Sequence, residues 1–256
     1  MKIFNRPSAP TWADLSTTDV PGARDFYGRL FGWTGADVPD PEAAGYGMFL
    51  LDGAYAAGYG PCTAQGKPVS WLVYFQVEDA DATALAVTGN GGAVVAPPMD
   101  VFDAGRLAVF SDPEGAVFGV WQPRGHRGFG VVDRPNSVCW FELIAREPEK
   151  AKDFYRAVLG WDGETHPFGP SEYTEWELGG ETFGGMKRMN EDFPSELPAH
   201  WTMYVAVEDC DAAAARVTEL GGSVRVRPTT IPPGRFAVVS DPQGGHLSLI
   251  TRSEAR

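Results

Sequence analysis

The chain writes one nine-residue phrase twice: DFYGRLFGW at residues 25–33 and DFYRAVLGW at residues 153–161. Trp12, Leu15, Phe26–Tyr27 and Gly32–Trp33 meet Trp140, Leu143, Phe154–Tyr155 and Gly160–Trp161 at an offset of 128. Tyr46, Leu51, Gly53 and Gly58 meet Tyr173, Leu178, Gly180 and Gly185 at 127, and Trp71, Tyr74, Val77 and Asp79 meet Trp201, Tyr204, Val207 and Asp209 at 130. GRLAVFSDPEG (105–115) meets GRFAVVSDPQG (234–244) at 129. A tandem duplication of this extent limits the fold to a domain of about 120 residues made twice. PRGHRGFGVVDRPN (123–136), rich in Gly, Pro and charge, lies between the copies. The expected division is a first domain at 1–124, a linker at 125–136 and a second domain at 137–256.

Each copy divides again. Trp12 to Ser16, and Val138 to Ile144, read as short apolar strands. Val20, Ala23, Phe26, Tyr27 and Leu30 then recur at helical spacing, with Gly32 where a C-terminal cap is due. Strand-like runs follow, including GMFLLDG and AYAAGY. The order restarts with the strand WLVYFQV, a helix from near Asp79 to Gly91–Gly92, and strands around SDPEG, whose Pro and Gly suit a type I turn. Strand, helix and three strands thus occur twice per copy, an α+β pattern.

Composition excludes several functions. Against 34 Asp+Glu stand 21 Lys+Arg, a net charge of −13, so no basic surface is available for nucleic acid. Three cysteines without CxxC spacing argue against a disulfide framework and for a reducing cytoplasm. The N-terminus carries no apolar leader, and no run is long enough to span a bilayer, so no membrane partner is expected. Monomer and homodimer both remain open.

The ordered series DVPGARDFYGRLFGW, VEDADA, double glycine and SDPEG, found twice over almost the whole chain, resembles the vicinal oxygen chelate superfamily of glyoxalases, extradiol dioxygenases and bleomycin-resistance proteins. Within it the chain is similar to tandem-domain, glyoxalase-like actinobacterial proteins labelled hydroxylases or antigens, some of which accompany antibiotic gene clusters. The resemblance implies two tandem domains, each of two βαβββ modules forming a cupped mixed sheet around a cavity. It also implies a divalent ion held by His, Gln or Glu from the opening strands and by a Glu on the closing strand. Counting from the shared phrases, the opening-strand positions are Trp12 and Trp140, the second-module positions Leu72 and Thr202, and the closing positions Gly119 and Ser248. None is a fit donor for such an ion, so neither metal nor other cofactor is expected.

Without an ion, each cavity would present an aromatic wall, suited to a bulky, largely apolar, aromatic or polyketide-like small molecule. By strand alternation Asp14 shares a face with Trp12, Glu142 with Trp140, Tyr74 with Leu72, Tyr204 with Thr202, Trp121 with Gly119 and His246 with Ser248. The ligand-binding candidates are Trp12, Tyr74, Arg106, Trp121, Trp140, Trp176, Tyr204, Arg235 and Ser248, with Arg106 and Arg235 read first as salt-bridged strand residues and second as anion-orienting groups at the cavity rim. Trp33 and Trp161 read as core, and His126 in the linker as a solvated residue. Glu142, His246 and Asp14 are the acid–base candidates, since a carboxylate inside an apolar strand needs partners or a shifted pKa. Two functions follow: metal-independent binding in secondary metabolism or self-resistance, or an acid–base reaction of hydroxylation-associated, lyase or isomerase type. A metal-dependent glyoxalase or dioxygenase is a third and needs ligands outside these positions.

Overall fold

The computed structural model describes residues 4, 6–62, 69–169, 171–191 and 193–253. The first copy runs β1 (Pro10–Thr17), α1 (Val20–Phe31), β2 (Thr34–Asp37), β3 (Gly47–Leu51), β4 (Ala54–Pro61), β5 (Ser70–Gln76), α2 (Ala80–Gly89), β6 (Ala93–Val101), β7 (Gly105–Ser111) and β8 (Val117–Pro123). The second repeats it as β9 (Val138–Ala145), α3 (Pro148–Leu159), β10 (Asp162–Phe168), β11 (Ser171–Leu178), β12 (Glu181–Arg188), β13 (His200–Ala206), α4 (Cys210–Glu219), β14 (Ser223–Ile231), β15 (Gly234–Ser240) and β16 (His246–Arg252). Four βαβββ modules build two eight-stranded mixed sheets, ordered β2-β3-β4-β1-β5-β8-β7-β6 and β10-β11-β12-β9-β13-β16-β15-β14. The expected α+β tandem fold is therefore present.

Local signals act where the sequence puts them. Asp19 caps α1 by accepting from the Gly22 amide, and Asp79 caps α2 by accepting from Asp81 and Ala82. Gly32 and Gly160 close α1 and α3 in the left-handed conformation, at φ 75° and 71°. Leu30 is only half-buried; Phe31 takes the core place beside Ala23, Phe26 and Tyr27.

The chain divides into two compact units, each drawing one module from each copy. One comprises the segment ending at Trp12 with Leu72–Gly128 and Trp140–Thr202; the other comprises Ala13–Trp71, Phe129–Cys139 and Met203–Arg256. In the first unit Tyr155 is wholly buried, stacks on Trp161 at 5.1 Å and meets Trp201 edge-on at 5.5 Å. The Trp201 indole N–H donates to the Tyr155 hydroxyl at 2.8 Å, and that hydroxyl donates to Asp112 Oδ2 at 3.2 Å. Asp112 Oδ1 accepts the Glu114 and Ala116 amides, fixing the SDP turn that the Gly115 amide closes onto the Asp112 carbonyl. The second unit repeats the relay: Trp71 donates to Tyr27 at 3.1 Å, and Tyr27 to Asp241 Oδ2 at 2.9 Å. The Tyr of the duplicated phrase thus serves as a lock on the SDP turn of the opposite copy.

Burial, followed by the neighbouring Asp, holds the Tyr27 and Tyr155 phenols well above their ordinary pKa. Asp112 is also raised, chiefly by burial. Because the folded form binds its proton more readily than the unfolded chain, this group's stabilisation is fully present below the ordinary carboxylate value and is lost as pH rises through the raised one. Urea titrations are expected to show the stability advantage of wild type over Asp112→Asn growing as pH is lowered from neutrality toward that value.

Trp176 is wholly enclosed against Trp161 and Tyr155, and its indole N–H has no acceptor among the described residues. This is a core environment, and the first copy carries Phe49 at the matching place. Trp176→Phe is expected to change stability by no more than about 1 kcal/mol in chemical denaturation, lost volume being offset by removal of an unsatisfied donor.

Candidate functional site

Glu142 lies near the middle of β9 and is 7% exposed. Its parallel neighbour on β12 is Gly185, where a β-carbon would overlap the hydroxyl of Tyr173. Glycine is required there because the phenol of β11 lies across the strand to reach the carboxylate. Tyr173 donates to Glu142 Oε1 at 2.8 Å, and the Trp140 indole N–H donates to the Tyr173 oxygen at 2.9 Å. An indole can only donate, so the phenol oxygen accepts from it and the phenol proton points at Glu142. Trp140 itself remains half-buried.

The second unit holds the corresponding residues of the first copy. Asp14 pairs with Gly58 across β1 and β4, and a β-carbon at Gly58 would overlap the Tyr46 hydroxyl and crowd the Asp14 side chain. Asp14, Leu15, Ser16, Tyr46, Gly60 and Pro61 line a cavity of about 170 Å³. Tyrosine over glycine beside a strand carboxylate therefore occurs in both copies.

The remaining candidates are placed as follows. Trp12, Tyr74, Trp121, Tyr204 and Ser248 are buried, at 5%, 6%, 7%, 6% and 1% exposure, while His246 is exposed at the start of β16, opposite Ser240. Arg106 grips Asp81 through Nε and a terminal nitrogen at 2.9 and 3.0 Å and reaches Asp100 at 3.1 Å; its hydrogen bond holds the Asp100 carboxyl below its usual value. Arg235 grips Asp211 in the same way and lowers it likewise. Both guanidiniums are thus in ion pairs. His126 departs from the expectation of a solvated linker residue: it meets Trp12 edge-on at 4.6 Å and Trp121 at 5.9 Å, and burial depresses its pKa. Cys139 and Cys210 are free thiols, pushed up to about 11 chiefly by burial.

The donors do not fit a metal ion. Gly119 pairs with Tyr74, and a side chain at 119 would overlap the Tyr74 ring, so an aromatic ring fills the volume a closing-strand ligand would need. Among the described residues no group of three His, Cys, Asp or Glu is placed to hold a metal, and none of their helices is long and apolar enough to cross a membrane.

Residues 10–120 match the family model of the Glyoxalase/Bleomycin resistance protein/Dioxygenase superfamily, and residues 140–250 match that of the Glyoxalase-like domain. The chain belongs to this superfamily. It is similar to the anthracycline biosynthesis protein DnrV of Streptomyces peucetius, 40% identical over 263 residues that cover 97% of this chain and 94% of that protein. In fold the chain is similar to the 2,3-dioxygenase LapB of Pseudomonas sp. KL28, with a TM-score of 0.65, 14% identity and coverage of 95% and 91%. It is also similar to a Mn(II)-bound glyoxalase of Novosphingobium aromaticivorans, with a TM-score of 0.63, 15% identity and coverage of 96% and 82%. The fold is thus shared with a Mn(II)-bound protein, while this chain has Trp12, Trp140, Leu72, Thr202, Gly119 and Ser248 at the positions compared above.

The phenols Tyr46 and Tyr173 are absent from the sequence-based candidates, yet both recur in the duplication together with Gly58 and Gly185. That joint recurrence of a tyrosine and a distant glycine is the signal that could have found them.

Proposed function

We propose that this chain is a metal-independent small-molecule-binding member of the superfamily, its ligand a bulky, largely apolar aromatic molecule of polyketide type. The observation carrying this reading is the chain of hydrogen bonds from Trp140 through Tyr173 to the buried Glu142. It combines a half-buried indole with a directed phenol and a carboxylate, which suits a flat aromatic body bearing hydroxyl or carbonyl groups. The relative DnrV, named for anthracycline biosynthesis, makes polycyclic aromatic molecules the first class to try. The setting we propose is cytoplasmic, in secondary metabolism or self-resistance, with 1–124 and 137–256 as the two sequence domains, each giving one module to each compact unit, and the chain acting as a monomer or homodimer.

A second reading is acid–base catalysis on such a ligand by Glu142, Asp14 or His246. It is favoured by the buried carboxylate of Glu142, which accepts from a directed phenol. Equilibrium dialysis of an anthracycline against the protein, followed by mass spectrometry of the recovered ligand, separates the two. Retention of unchanged ligand is the expected result; conversion to a product that ceases in Glu142→Gln would establish the catalytic reading.

A further inference from the structure

At the end of β8 the side chains of Gln76, Pro123, Arg124 and Arg127 surround a cavity of about 150 Å³. Gln76 is the last residue of β5 and only 9% exposed. Its backbone is paired, the amide donating to the Ala9 carbonyl and the carbonyl accepting from the Ser8 amide, yet its side-chain carboxamide makes no hydrogen bond among the described residues. The residue is otherwise buried, so its amide is left to the solvent of the cavity rather than to a protein partner. The second copy has Ala206 at the matching position, 130 residues on. The feature is therefore particular to the first copy, and it lies at a cavity that Arg124 and Arg127 also line. Arg124 shares its charge with Asp100 at 2.9 Å. Arg127 lies three residues on, its carbonyl accepting from the Thr11 hydroxyl at 3.2 Å.

We propose that this cavity is a binding site for the carboxylate group of a small organic acid, or of an acidic substituent on a larger ligand. Planar guanidinium matches a carboxylate through paired N–H donors, and the Gln76 amide offers a further N–H donor. The cavity is large enough for a carboxylate with a short carbon stem and too small for an aromatic ring system, whose sites are typically about 300–1,000 Å³.

The test is side-chain ¹⁵N–¹H NMR of the full chain titrated with sodium acetate, with sodium chloride and inorganic phosphate at matched ionic strength. The Gln76 amide and Arg127 Nε–H resonances are expected to shift and saturate with acetate but not with chloride. Arg127→Ala is expected to weaken the acetate titration about tenfold or more, read at the Gln76 amide. Gln76→Ala, which installs the residue of the second copy, should fold normally and abolish saturable shifts at Arg127. Saturation by phosphate with no response to acetate would overturn the carboxylate assignment. Equal response to chloride, or no shift with any of the three salts, would overturn the site itself.

Discussion

Tyr155→Phe is expected to lower the unfolding free energy by about 2–4 kcal/mol, one of the two largest effects anticipated for a single-atom deletion in this chain. The hydroxyl removed is wholly buried and has two partners, accepting from the Trp201 indole and donating to Asp112. Its loss strands a buried donor at one end and withdraws a donor from a buried carboxyl at the other, while the Phe ring keeps its stack on Trp161. Asp112 retains the Glu114 and Ala116 amides, so the SDP turn should survive and the protein should still fold. Urea denaturation of wild type and variant measures the difference. A loss of under about 0.5 kcal/mol, the level of an ordinary surface substitution, would mean that the relay contributes little.

The second large effect concerns binding. Glu142→Gln and Tyr173→Phe are each expected to weaken an anthracycline probe by about tenfold to a hundredfold, corresponding to about 1.4–2.8 kcal/mol. Tyr173→Phe leaves the Trp140 N–H without its acceptor and Glu142 without its phenol donor. Gly185→Ala is the complementary probe, because the added carbon overlaps the Tyr173 hydroxyl and displaces it without touching any polar group. If the phenol orients the ligand, Gly185→Ala should reproduce the loss seen in Tyr173→Phe, and combining the two should add little further. Tryptophan fluorescence quenching reads all three variants.

Much of the fold was legible because its signals are local or repeated. Helix caps at Asp19, Asp79, Gly32 and Gly160 depend on a few neighbouring residues, and the duplication supplied each module a second time. The tyrosine–aspartate locks were not legible, since Tyr155 meets Asp112 only through the pairing of a module from each copy. Nor was the role of Tyr173, which depends on the register that sets Gly185 opposite Glu142. His126 was misjudged from its Gly- and charge-rich surroundings: composition described the segment, but the Trp12 and Trp121 rings set the environment of the imidazole. Trp176, a ligand-binding candidate that stands where the first copy has Phe49, is enclosed by Trp161 and Tyr155.

The central claim, that an aromatic ligand binds through the Trp140–Tyr173–Glu142 arrangement without help from a metal, is tested most directly by titrating an anthracycline into protein dialysed against a strong chelator. The account predicts saturable quenching of tryptophan fluorescence that is unchanged when Mn²⁺, Fe²⁺, Ni²⁺ or Zn²⁺ is restored and is weakened in Glu142→Gln. Binding that appears only after a divalent metal is added would contradict it.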